Sequence, residues 1–193
     1  MKDHHDTLTR DALGHGDALL IVDTQNDFCP GGALPIEDGH KIIPVINDWI
    51  EVAMEKGAPI HASRDWHPVG HISFTESGGL WPAHCIQDTD GARFHPDLRL
   101  PDSTVKITKG TRFDQDQYSA FDQTGLATWL RRKDIRRLWV MGLAEDVCVL
   151  ATVLDGRRNG FDMVLVNDAT KAITTETGKK ARNEMQDAGA FIV

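Results

Sequence analysis

Four separated segments of this 193-residue chain carry side chains that could do chemistry together. They are Val22-Asp23-Thr24-Gln25-Asn26-Asp27-Phe28, Arg64-Asp65-Trp66-His67-Pro68, Lys109-Gly110 and Gly142-Leu143-Ala144-Glu145-Asp146-Val147-Cys148-Val149. Cys148 follows an apolar run and a Gly142-Leu143-Ala144 turn, so the spacing predicts that it sits in the first turn of a helix. Unpaired amides and the helix dipole there favour a thiolate and lower the thiol pKa. The same amides could hold the oxyanion of a tetrahedral intermediate. Taken alone, Cys148 reads more simply as a buried, inert thiol. Asp23 changes that balance, because a carboxylate directly after Leu19-Leu20-Ile21-Val22 has little structural reason to be there unless it faces a polar site. It could accept the thiol proton and return it to a leaving amine. Lys109 could hold both groups by charge; Lys106 is its rival, but lies inside an alternating strand pattern. The weight rests on the triple.

Asp65 and His67 are two residues apart in an extended segment, which sends both side chains to one side. With His84 they form an oxygen and nitrogen donor set suited to a divalent transition ion, and His71 could be a fourth or outer ligand. Three protein ligands leave positions for water or substrate. The donor set suits Zn, Fe or Mn.

Placing these groups requires a sheet. Short β-branched runs at residues 18–22, 59–63, 104–107, 138–141, 163–166 and 190–193 read as buried strands. Helical spacing over 42–56, 121–133, 147–158 and 175–188 alternates with them. The alternation predicts an α/β fold: a three-layer α/β/α, Rossmann-like architecture around a central, mostly parallel six-stranded sheet. Ligands of such sheets bind beyond the carboxyl ends of the strands, where the four segments lie. The stretch from Asp65 to Asp102 has no regular pattern, and its tryptophans, prolines and histidines make it a site-building loop.

Length fits one domain, read as residues 17–193 behind a flexible extension over residues 1–16, whose His4 and His5 are expected to bind nothing specific. A net charge of −8 disfavours nucleic acid and anionic membrane as partners. The basic cluster from Arg131 to Arg137 reads as a solvated helix end. No apolar run approaches the ~20 residues that cross a bilayer. Three scattered cysteines suit a reducing compartment, and a cytoplasmic location is expected.

Together these segments resemble the nicotinamidases of the isochorismatase-like cysteine hydrolase superfamily, over about Asp17 to Val193. The acid segment after Asp23 and the nucleophile segment around Cys148 are similar to those of the whole superfamily. Ser63-Arg64-Asp65-Trp66-His67-Pro68, His71-Ile72-Ser73-Phe74 and Trp81-Pro82-Ala83-His84-Cys85 are more discriminating, because they look like the nicotinamidase metal site. The resemblance implies a catalytic triad of Asp23, Lys109 and Cys148. It implies one divalent metal, zinc before iron or manganese, on Asp65, His67 and His84, with His71 as an addition. It also implies a cis peptide between Leu143 and Ala144 that aims the amides of Ala144 and Cys148 at the oxyanion. Phe28 and Trp81 would flank the substrate ring, and Tyr118 would line the pocket. The implied reaction converts nicotinamide to nicotinate and ammonia through a thioester, pyrazinamide being an analogous substrate, and a homo-oligomer is plausible. Glu145 departs from the small or hydroxyl residue common at its position, which leaves substrate preference open. Rival readings are a cysteine hydrolase of acyclic amides, a hydrolase using metal-activated water, and a non-catalytic member of the fold.

Overall fold

Every residue of Asp17–Val22 (β1) is buried, as a strand covered on both faces must be. The computed structural model describes residues 9–193, so residues 1–8, His4 and His5 among them, lie outside the described residues. The chain continues through Ile43–Lys56 (α1), Ile60–Asp65 (β2), Val105–Lys109 (β3), Leu126–Arg132 (α2) and Arg137–Leu143 (β4). Leu150–Arg158 (α3), Asp162–Lys171 (β5), Thr175–Asp187 (α4) and Phe191–Ile192 (β6) complete it. All strand pairs are parallel, in the order β3-β2-β1-β4-β5-β6. The predicted α/β/α architecture is therefore present.

Alternation along β1 assigns the two faces. Leu19 and Ile21 pack with Ile46, Trp49 and Ile50 of α1, whereas Leu20 and Val22 pack with Leu130 of α2, Val153 of α3 and Met185 of α4. Chain order reverses between β1 and β4, and the crevice at such a switch point is where open α/β sheets bind ligands. Val22 is level with Gly142, and Asp65 with Lys109, so the four reactive segments leave the sheet at one rim. Gly142 is required there. At φ +117 its absent Cβ would stand 2.0 Å from the Val22 carbonyl oxygen, so only glycine lets β4 approach β1 this closely.

Several element boundaries differ from the predicted ones. The helix expected over 121–133 begins only at Leu126, because Gln123 and Gly125 take left-handed φ values of 56 and 78. A five-residue π turn, Glu145–Val149, precedes α3. The fifth strand is longer than its apolar run, and a register irregularity brings Thr170 beside Gly142. Within the expected extension, Arg10–Ala12 form a 3-10 turn and Leu13 is buried. No helix among the described residues is long and apolar enough to cross a membrane.

Candidate active site

Asp23 leaves β1 with a φ of 44, a left-handed conformation rare for a residue with a side chain and common where a site fixes the backbone. Its amide donates to the Ser63 carbonyl at 3.1 Å and its Oδ1 accepts the Ser63 hydroxyl at 2.7 Å. Its Oδ2 lies 2.7 Å from Lys109 Nζ, a fully buried ion pair. The Lys109 ammonium also donates to Asp65 Oδ1 at 2.6 Å and to Cys148 Sγ at 3.5 Å. Polar atoms of Asp23, Asp65 and Cys148 lie within 4.8 Å of one another, all buried. Of the two candidate lysines, Lys109 is buried in this corner and Lys106 is exposed.

Burial in low dielectric disfavours charge, and it is the largest influence on each member of the corner. It raises the Asp23 carboxyl above its ordinary value, partly offset by the Lys109 charge. It pushes the Cys148 thiol well up, with Lys109 pulling the other way and Asp23 adding to the rise. For Lys109, burial works against the ammonium, but Asp23 and Asp65 override it and hold the pKa well above normal. The expected lowering of the Cys148 pKa is therefore corrected. Cys148 is buried in the π turn beside two carboxylates, and desolvation outweighs the helix-start amides.

The expected cis bond between Leu143 and Ala144 is also absent, since no peptide among the described residues is cis. Ala144 is extended, and its carbonyl receives the Val147 and Val149 amides. A trans bond avoids the ~3–4 kcal/mol that a non-proline cis peptide costs.

Next to this corner, donor atoms of Asp65, His67 and His84 lie within 4.8 Å of one another. The imidazoles are arranged as metal ligands commonly are. His67 Nδ1 is 2.9 Å from the Gly110 carbonyl and His84 Nδ1 is 2.7 Å from the Pro82 carbonyl, so each Nδ1 carries the proton and leaves Nε2 free. Burial, then the neighbouring His84 and His71, lowers the His67 pKa to about 3, which keeps the ring neutral. Gly110, at φ +67, is a second obligatory glycine, because a Cβ there would meet His67 Cε1 at 2.5 Å. The donor set fits a divalent transition ion. His71 stacks on His67 at 4.4 Å between ring centroids, and its buried Nε2 has no hydrogen-bond partner. It groups with His67 and Asp116, not with the Asp65 set.

A cavity of ≈ 110 Å³ opens between the thiol and this donor set. Phe28, Trp81, Tyr118, Ala144 and Ile173 line it together with Cys148. Trp81 Nε1 donates to the Tyr118 hydroxyl at 3.0 Å, which fixes both walls. A larger hollow of ≈ 500 Å³ lies at the other end of β1 and β2, lined by His15, Lys56, His61 and Trp129, and contains neither the thiol nor the donor set.

Against this geometry, the chain matches the isochorismatase domain family over residues 17–193. The chain belongs to that family. The nicotinamidase of Escherichia coli (strain K12) is 37% identical over 198 residues, covering 91% of this chain and 93% of that protein. The pyrazinamidase of Pyrococcus horikoshii, solved in complex with zinc, has a TM-score of 0.90 at 48% identity, covering 92% of this chain and 98% of that one. PnC1 from L. infantum, solved in complex with nicotinate, has a TM-score of 0.85 at 38% identity, covering 92% and 91%. Family members of known structure thus share this fold across nearly its whole length.

Within the family fold, several residues that sequence reading passed over hold the site in place. The Gln25 amide is clamped to the end of β2: its Oε1 accepts the Asp65 amide at 2.7 Å, and its Nε2 donates to the Asp65 and Ala92 carbonyls. Asp27 accepts the Cys85 amide at 2.7 Å and the Ala33 amide at 3.0 Å, tying the long loop to the first strand's exit. Gln117 accepts the Gly110 amide and, through its carbonyl, the Lys109 ammonium. The available signal was the run of polar residues from Asp23 to Asp27 directly after a wholly apolar strand end. Glu145 does not line the cavity. Its carboxylate turns away to Thr170 and Arg182, so the departure at this position places no charge on the pocket wall.

Proposed function

We propose that this chain is a metal-dependent cysteine amidohydrolase that converts nicotinamide to nicotinate and ammonia, and that it accepts pyrazinamide as an analogue. The observation that carries the reading is the buried contact of the Lys109 ammonium with both the Cys148 thiol and the Asp23 carboxylate, with Cys148 itself lining a small aromatic-walled cavity. The names of the relatives above support the substrate.

Asp23 takes the Cys148 proton as the sulfur bonds to the carboxamide carbon. The amides of Ala144 and Cys148 would hold the developing oxyanion from a turn entered through a trans Leu143–Ala144 bond. As the tetrahedral adduct collapses, the C–N bond breaks and Asp23 gives the proton to departing ammonia, leaving a thioester. Water then loses a proton to Asp23 and adds to the thioester carbon, the C–S bond breaks, and the proton returns to sulfur. The Lys109 charge opposes the rise that burial imposes on the Asp23 pKa and so favours its basic form. Phe28 and Trp81 flank the pyridine ring, with Tyr118 behind Trp81. Asp65, His67 and His84, with His71 a further candidate, would hold the ion, whose contribution is a Lewis-acid anchor for the ring nitrogen. We take zinc as that ion, with iron or manganese as alternatives, because a mixed oxygen and imidazole set admits all three. Fixing the ring presents the carboxamide carbon to sulfur, a gain from orientation. Residues 17–193 act as one domain, and three free cysteines suit a cytoplasmic protein.

Ammonia release from nicotinamide, pyrazinamide and acyclic amides, measured beside elemental analysis of the purified protein, tests this reading. Preference for the two aromatic amides with about one ion per chain is expected. Comparable release from acyclic amides, or turnover without any bound metal, would overturn it.

A further inference from the structure

Two adjacent carboxylates at the start of the π turn have no part in the chemistry above. Glu145 is 2% exposed, a costly place for a charge unless its partners are fixed. Its Oε2 accepts the Thr170 hydroxyl at 2.7 Å, and its Oε1 pairs with the Arg182 guanidinium of α4. Gly178 leaves the room this needs, since a Cβ there would stand 3.0 Å from that oxygen. Asp146 Oδ1 accepts the Ile173 amide at 3.0 Å, and Ile173 lines the cavity. The capping box of Thr174 and Thr177 then fixes the next residues as the start of α4. The turn that carries Cys148 is thus tied, at two consecutive positions, to the segment that forms one wall of the pocket. π turns occur often at functional sites and lack the regular ladder that would fix them unaided.

We propose that these two tethers position the nucleophile: Glu145, through Arg182 and Thr170, sets where Cys148 sits, and Asp146 couples that turn to the Ile173 wall. The proposal rests on reading Cys148 as the nucleophile. Glu145, Asp146 and Arg182 are positioning residues that touch no substrate atom. A small displacement is enough, because a 1 Å misplacement in an active site can cost about 100-fold in rate.

Arg182→Met, Arg182→Lys, Glu145→Gln and Asp146→Ala are compared with the unmodified protein by thermal unfolding, kcat and KM for nicotinamide, and the rate at which iodoacetamide alkylates Cys148. Arg182→Met should lower kcat about 10-fold or more, with KM within about 3-fold, and change alkylation by a similar factor well below its Tm. Arg182→Lys should restore kcat to within about 3-fold, because one ammonium can reach the same carboxylate oxygen. Glu145→Gln keeps the side chain's shape and stands in if Arg182→Met fails to fold, with a drop of about 3- to 10-fold expected from the weakened, uncharged bond. Asp146→Ala should raise KM about 3- to 10-fold with kcat nearly unchanged, since only the wall is loosened. Arg182→Met and Glu145→Gln variants that lose Tm while keeping both kcat and alkylation within about twofold, or an Asp146→Ala variant with unchanged KM, would overturn the proposal, leaving these bonds stabilising contacts only. If the unmodified protein released no ammonia from nicotinamide, the functional reading would fall, and the alkylation rates alone would still decide whether the tethers place the thiol.

Discussion

Replacing Lys109 by Met removes the ammonium that pairs with two buried carboxylates in this corner. Lys109 Nζ is 2.7 Å from Asp23 and 2.6 Å from Asp65, and the side chains involved are almost entirely out of solvent. Breaking a buried pair by deleting one partner costs ~3–5 kcal/mol, because the remaining charge is left uncompensated. For a chain of this length each kcal/mol shifts Tm by about 2–4 °C, so Lys109→Met should lower Tm by roughly 6–20 °C near neutral pH. The loss should depend on pH with a definite sign. Burial already raises the Asp23 pKa, and losing Lys109 removes the attraction that opposes the rise. A carboxyl whose folded pKa lies above its unfolded value near 4 binds a proton more readily when folded. The penalty should therefore grow as the pH rises from the folded pKa of the unmodified protein to the higher one of the variant, level off above that, and shrink as the pH falls back toward the unfolded value. Urea unfolding of the variant and the unmodified protein at pH 5 and pH 7.5 reads both effects. Equal stability at pH 7.5, or a deficit as large at pH 5, would refute the electrostatic account of the corner.

Asp23→Asn keeps the Ser63 contact but cannot take the thiol proton, so kcat should fall by about 10²- to 10⁴-fold while the fold survives; stopped-flow ammonia release would show it. His84→Ala should lower bound metal per chain and raise KM by about 10-fold or more through loss of ring placement, as read by elemental analysis and steady-state kinetics. Gly142→Ala forces a methyl group onto the Val22 carbonyl and should cost several kcal/mol or prevent folding, at least ~3 kcal/mol by denaturant unfolding of any soluble fraction.

Much of this site is legible in the sequence because Asp23, Asp65 and Lys109 each stand at or just past the end of a strand. Leu19-Leu20-Ile21-Val22 must be buried, so Asp23 must lie at its rim, and the same logic places Lys109 after Ile107 and Asp65 after Ala62. Parallel pairing then brings the rims together without further information. What was not legible depends on groups far away in sequence. The thiol argument used only the local helix start, whereas the Cys148 pKa is governed by burial and by carboxylates over 80 and 120 residues upstream. Glu145 looked like a charge near the oxyanion because the pairing with Arg182, on a later helix, cannot be read from the turn itself. Gln25 and Ser63 belong to motifs that were noticed, yet their duty is to orient Asp65 and Asp23, and hydrogen-bond geometry has no signature in residue type. The π turn likewise replaces a predicted helix start without any proline or glycine inside it to announce the change.

The account stands on Cys148 forming a covalent bond to the substrate carbonyl. Intact-protein mass measurement after acid quenching during nicotinamide turnover tests that most directly, with peptide mapping to find the modified residue. An acyl adduct on Cys148, absent from Cys148→Ala along with ammonia release, is the predicted result. A Cys148→Ala protein that turned over nicotinamide at the unmodified rate, with no adduct in either protein, would contradict it.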